Sequence, residues 1–452
     1  MMGASVGRQE RLFYEFDLEE MVPADHLLRT VDAVLDLSWL RGELAAHYSH
    51  LGCPSVDPEL LVRMLLVGYC YSIRSERRLC QEVKMNLAYR WFCRLGLEDR
   101  VPHHSTFSVN RLGRFRASDI LRTVFEEVVS RCMAAGLVGG EGFAVDASVI
   151  EANASRFQRV EGSEVDWTDA QRARRPIAEY LAALDSDAPP LNPKQKPRAL
   201  SPTDPTAAWT TRGRHKVMFG YSLNYLIDME SSVIVDVEAT PTRISKEVGI
   251  AQTMIERVAE RFALKPKHVA GDVAYGTSAM LGWLVDQEID PHIPVWDQTK
   301  VAAKGKFTRA DFAYDKKSDR YVCPAGKELK TSGNVVDGNA IKYMAKRSDC
   351  GACPLKSQCT TGRERRLARD VNQDARDFTQ ALMQSEAYDV SRAERKKIER
   401  LFGEAKASLS LTRLRLRGLA GARDEFLLTA IVQNLKRLAA IVAIPPPQPA
   451  IA

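Results

Sequence analysis

Apolar residues change period along this chain. Over residues 1 to about 135 they recur at helical spacing, as in Leu60, Leu61, Met64, Leu65 and Gly68, which share one face behind the start signal Asp57-Pro58. Ser75 and Ser105-Thr106 offer later helix starts, and Arg77, Arg78, Arg111 and Arg114 fall on the helices that follow. From about 136 the pattern turns to strands: FAVDASVI, then YSLNYLID and SVIVDVEAT joined through a turn at Met229-Glu230-Ser231. SKEVGIAQTMIERVAERFAL returns to helical spacing, His268 to Val273 predicts a short strand, Gly276 a turn, and Thr277 or Ser278 a helix cap. HIPVW predicts one more strand, and helices are expected over 386–409 and 424–441.

Two stretches break the pattern. Residues 152–213 form a long connection rich in Pro and charge, with one predicted helix at 169–185, and connections of that length are usually functional or disordered. Residues 301–375 hold a cysteine-rich insertion, and IPPPQPAIA reads as a flexible tail. The expected domains are therefore 1–135, 136–300, 301–375 and 376–452.

Composition narrows the class. A chain of 452 residues with 45% hydrophobic content supports two or three globular domains with a sizeable core. No run of about 18 apolar residues could span a membrane and no secretory leader opens the sequence, so a soluble cytoplasmic protein is expected, without membrane partners. Net charge is only +6, but basic residues cluster in TRGRHK (Arg212, Arg214, Lys216), GRERRLAR, RKK and TRLRLRG (Arg415, Arg417), which suits a DNA channel. The nine cysteines argue against a disulfide framework. Cys53, Cys70, Cys80, Cys93 and Cys132 read as small core hydrophobes, whereas Cys323, Cys350, Cys353 and Cys359, spaced Cys-x26-Cys-x2-Cys-x5-Cys, could hold a structural Zn²⁺.

Candidate chemistry rests on three acids. In SRAERKKIERLFGEAKASL, Arg392, Arg395, Glu399 and Lys406 would share one stripe of a single helix, a pattern that is more often only a solvated face. Two upstream carboxylates change that reading. Asp146 lies in the apolar strand EGFAVDASVIEANAS, and Asp272 stands where the strand KHVAGDVAY gives way to a loop. Two strand-borne aspartates and one helical glutamate can converge on a pair of Mg²⁺ ions, for which Mn²⁺ can substitute, because such ions take a few carboxylates and leave other positions to water and phosphate oxygens. Asp236 and Glu238 are rival acids, yet their alternation along a hairpin strand predicts a solvent face, and Asp228 reads as a turn residue.

At VDASVIEA, GDVAYGT and the spacing Arg395-x3-Glu399-x6-Lys406, with Phe402-Gly403 between, the chain resembles the DDE transposases of bacterial insertion sequences. The signature of that family has Tyr where this chain has Arg392. The resemblance continues through SPTDPTAAW, FGYSLNYLID, CPLKSQC and the N-terminal helices. It implies an α/β RNase H-like catalytic core with an all-α N-terminal domain for end recognition and dimer assembly. The implied reaction is cleavage at transposon ends and strand transfer into target DNA, with Asp146, Asp272 and Glu399 as catalytic metal ligands. Arg392, Arg395, Lys406, Arg212, Arg214, Lys216, Arg415 and Arg417 are the candidate DNA contacts. The implied partners are double-stranded DNA, as terminal inverted repeats and target, and further copies of the chain. A structure-specific nuclease and a domesticated DNA-binding protein are the alternatives.

Overall fold

The computed structural model describes residues 16–49, 51, 54–164, 197–212, 216–241, 244–295, 306–336 and 338–442. The helix expected at 169–185, Arg214, Cys53 and the tail after 442 lie outside these residues.

The N-terminal region is helical because its apolar stripes find one another. It comprises α1 (Leu27–Val34), α2 (Pro58–Cys70), α3 (Glu76–Met85), α4 (Leu87–Phe92), α5 (Ser105–Asn110) and α6 (Ile120–Ala134). Asp57 caps α2 by accepting from Glu59 N at 3.0 Å, with Pro58 in the first turn where its missing N–H costs nothing. Leu61, Met64, Leu65 and Gly68 are buried, and Cys70, Cys93 and Cys132 join them as core hydrophobes.

A six-stranded sheet follows, built from β1 (Gly142–Glu151), β2 (Ala208–Arg212), β3 (Lys216–Asp228), β4 (Ile234–Pro241), β5 (His268–Ala270) and β6 (Asp290–His292). The order is β2-β3-β1-β5-β6, with β4 also paired to β3. β3 is antiparallel to β1, β2 and β4, while β5 and β6 run parallel to β1 and to each other. β3 is long enough to serve two partners in succession, β2 along its first part and β4 along the rest. Asp228 ends the strand as a turn residue, accepting from Ser231 N and Oγ at 2.9 and 3.0 Å. The parallel strands require crossovers, which are α7 (Ile244–Phe262) before β5 and α8 (Ser278–Asp286) before β6.

Two expectations for this sheet are corrected. The strand at 268–273 stops at Ala270, because Asp272 turns its side chain back to cap the turn Val273–Tyr275; HIPVW likewise contributes only His292 to β6. Asp236 and Glu238 are not on a solvent face. Asp236 is buried and pairs with Arg122 of α6 at 2.5 Å and Arg257 of α7 at 2.8 Å, while Glu238 meets Arg257 at 3.0 Å. The alternation is genuine, but helices supply the arginines that let those carboxylates be buried.

The cysteine-rich stretch forms a separate five-stranded antiparallel sheet in sequential order: β7 (Ala313–Asp315), β8 (Arg320–Val322), β9 (Glu328–Val336), β10 (Ala340–Ala345) and β11 (Arg366–Asp370). It has its own core around Phe312, Tyr321, Leu329 and Tyr343, against which Cys323, Cys350 and Cys359 pack. Ser278 Oγ donates to Asp370 Oδ1 at 2.6 Å, tying this sheet to the start of α8.

The chain then returns through α9 (Gln373–Leu382), α10 (Glu386–Glu394), α11 (Lys396–Ala407) and α12 (Gly418–Val442). α12 begins earlier than expected and packs on both β4 and the N-terminal helices α1, α2 and α6. One hydrophobic core therefore runs from Val22 to Ala439.

Candidate active site

Register brings the two aspartates together. β1 and β5 are parallel and in phase, with Gly142 beside His268 and Ala144 beside Ala270. Continuing that phase for two residues would bring Asp146, midway along β1, beside Asp272, just past the end of β5, and the Asp272 charge does act on the Asp146 carboxyl. Asp272 Oδ1 accepts from Ala274 N at 2.8 Å, which fixes the carboxylate at the strand end.

The third acid arrives on a helix seated by aromatic packing. Tyr225 of β3 lies opposite Asp146 in the antiparallel register, so their side chains share a face. On that face Tyr225 stacks on Phe402 of α11 at 5.0 Å between centroids and donates to Gln433 Oε1 at 2.8 Å. Ile398, Leu401, Phe402 and Ala405 are buried along one side of α11, which leaves Glu399 toward solvent, 58% exposed, above Asp146. Arg395 bridges the two: its guanidinium lies 3.2 Å from Asp146 and 3.6 Å from Glu399.

The expected stripe is thus distributed over two helices. α10 ends at Glu394 and α11 starts at Lys396, with Arg395 at the junction and Arg392 exposed near the end of α10. Arg395 and Lys406 both reach β1, since Lys406 Nζ donates to Ser148 Oγ. Ser148 is a site neighbour that motif reading missed, although the two-residue period from Asp146 carries the signal.

Burial pushes the Asp146 carboxyl up to about 6; the bond from Ala147 N and the charge of Arg395 oppose this, while Asp272 and Glu399 add to it. Three acids whose charges press on one another call for a cation at their centre, and here Arg395 supplies one. Among the described residues, no group of three or more His, Cys, Asp or Glu is gathered closely enough to hold a metal ion, and the four cysteines share that condition. Cys359 nevertheless feels Cys350, Cys323 and Cys353, which with burial raise its thiol. Backbone amides of Lys327 and Arg365 donate to Cys323 Sγ at 3.3 Å and Cys350 Sγ at 3.4 Å.

Basic residues line the approach. Segment 412–414 lies along the end of β1, with Leu414 N donating to Glu151 O at 2.7 Å, and Glu425 Oε1 accepts from Arg415 N and Leu416 N at 2.7 Å each. Arg415 and Arg417 are exposed there. Arg74, just before α3, holds the same segment by donating to Ser410 O at 2.7 Å and Arg413 O at 2.8 Å while pairing with buried Glu425. Sequence gave no signal for Arg74, because its partners lie at the other end of the chain. Arg212 and Lys216 are register partners at the ends of β2 and β3.

Family models match at both ends of the chain: a transposase domain (DUF772) over residues 16–112 and a transposase DDE domain over residues 322–439. A search of curated proteins finds no match. Among solved structures, a piggyBac transposase synaptic complex with hairpin DNA aligns with 92% of this chain and 74% of that chain at 8% identity, and its TM-score of 0.31 is too low to carry an argument. The first model covers α1 to α5 and the second spans most of the cysteine-rich sheet, the Arg395–Glu399–Lys406 segment and most of α12, and together these two transposase domains support a DDE transposase of insertion-sequence type.

Proposed function

We propose that the sheet β1 to β6 is an RNase H-like core and that Asp146, Asp272 and Glu399 hold two Mg²⁺ ions for cleavage at transposon ends and transfer into target DNA. The observation that carries this reading is the in-phase pairing of β1 and β5, which aligns Asp146 with Asp272 under the helix bearing Glu399. When bound, the ions would activate water or a 3′-hydroxyl and stabilise the leaving oxygen. Arg395 is the resident counter-charge of the acids and would turn to phosphate as ions bind; Lys406, held by Ser148, would orient a strand beside them. Arg392, Arg415 and Arg417, with Arg212, Arg214 and Lys216 at the β2–β3 end, would contact DNA phosphates, so base selection falls to the N-terminal helices and the 152–213 connection. Double-stranded terminal repeats, target DNA and a second copy of the chain are the partners this reading requires. In the cysteine-rich sheet a structural Zn²⁺ would be held by Cys323, Cys350, Cys353 and Cys359, which would have to draw closer together than they stand here.

The test is strand transfer from a donor carrying the element's own ends. Asp146→Asn, Asp272→Asn and Glu399→Gln should each abolish cleavage and joining with end binding retained. Substantial Mg²⁺-dependent activity in any of them removes that residue from the site, and cleavage without joining in the wild type would make the chain a nuclease.

A further inference from the structure

Beyond the end of β1 the same sheet face carries an aromatic surface that the proposed chemistry does not use. A groove of about 690 Å³ is lined by Phe157, Trp209, Arg156, Arg159 and Arg198 among others. Phe157 is 79% exposed, with the Arg156 guanidinium 4.6 Å from one ring face. Trp209 is half-buried, packed against Phe219 at 4.8 Å, with Arg159 5.2 Å from its ring. Glu161 pairs with Arg159 and steadies it, leaving the groove with more positive than negative charge.

The position of this surface follows from register. Trp209 pairs with Phe219 on β3, and Phe219 is an even number of residues from Tyr225, which pairs with Asp146. Trp209 and Asp146 therefore lie on one face of the sheet. Six residue steps along the chain lead from Asp146 to Ala152, whose N–H donates to Phe219 O; that is about 20 Å of strand, or about six nucleotides at the spacing of one duplex strand.

We propose that Phe157 and Trp209 form a stacking platform for unpaired bases of single-stranded DNA, about six nucleotides from the scissile phosphate by the same spacing, with Arg156, Arg159 and Arg198 tracking its backbone. This rests on the DNA-cleaving reading of Asp146. An exposed aromatic face flanked by guanidiniums recognises any base plane, which every unpaired base offers and a duplex offers only at its two ends, so the body of a duplex gains the charges but not the ring.

Equilibrium binding, in chelator and without metal, of a fluorescein-labelled mixed-sequence single strand and of a blunt duplex tests it. Phe157→Ala should weaken single-strand binding about tenfold, the size of one lost base stack. Blunt-duplex affinity and the salt slope should not change, because no charge is lost. Phe157→Tyr should restore single-strand affinity. Arg198→Ala should lower the salt slope by about one unit. Unchanged single-strand binding by Phe157→Ala, or an equal loss on blunt duplex, overturns the platform. Asp272→Asn, run in parallel, should keep the Phe157-dependent gain of the single strand over the duplex; if it still cleaves with Mg²⁺, the reading of the active site fails instead.

Discussion

At the scale of single residues the molecule buries charge in two ways. Asp236 is surrounded by arginines, whereas Asp424 of α12 has Arg111 and Arg116 only at 4.0 Å, with Arg423 and Asp119 also nearby. Burial pushes Asp424 from 3.8 up to about 6 despite those arginines. The sign follows from linkage: between these values the unfolded chain releases the proton before the folded one does, so stability falls as pH rises through that window and is flat above it. A two-unit shift corresponds to about 3 kcal/mol. Asp424→Asn should remove that decline, so urea midpoints of variant and wild type measured on both sides of the window should diverge as pH rises. Parallel midpoints would show that Asp424 titrates normally.

At the scale of elements, the placement of α11 decides whether the three proposed acids can meet. Phe402 stacks on Tyr225, the residue opposite Asp146, so the contact that secures the helix also sets the height of Glu399. Phe402→Ala should cost about 3 kcal/mol in stability and lower turnover well beyond the loss of folded protein, while Phe402→Leu recovers most of both. Turnover that merely tracks folded fraction, measured by denaturant titration beside the cleavage assay, would separate the packing from the chemistry. Much of this element logic was legible beforehand. Asp57-Pro58, the Asp228 turn and the Thr277 cap carry local signals, and all three form, Thr277 accepting from Met280 N at 3.3 Å. What failed were statements about surroundings. Asp236 and Glu238 resemble a solvent face until α6 and α7 bring arginines from elsewhere, and the break at Arg395 leaves no mark because Arg395 keeps helical dihedrals. The three proposed acids stand out in the motifs, but their mutual approach depends on the β1–β5 phase, which no local pattern encodes.

At the scale of the whole molecule the described residues form two cores, and these should respond differently to metal. The cysteine-rich sheet packs around its own small aromatic core, separate from the one that holds the acids. Purified protein should contain about one zinc per chain, the stoichiometry of a four-thiolate site. Its removal by chelator should open residues 306–336 to protease before the main core loosens. A metal-free protein with an unchanged proteolysis pattern would show that reduced thiols and aromatic packing suffice.

The helix α12 packs against α1, α2 and α6, made hundreds of residues earlier, and against β4. On the ribosome, domains generally fold as units in the order in which they emerge. Here the earliest helices must wait, because the strip of Phe426, Leu427, Ile431 and Leu435 that completes their core is synthesised only after the sheet and the cysteine-rich insertion. Glu399 emerges shortly before it. A chain stopped before α12 therefore lacks its structural keystone, and the order of synthesis holds the proposed chemistry of Glu399 in abeyance until that helix has docked.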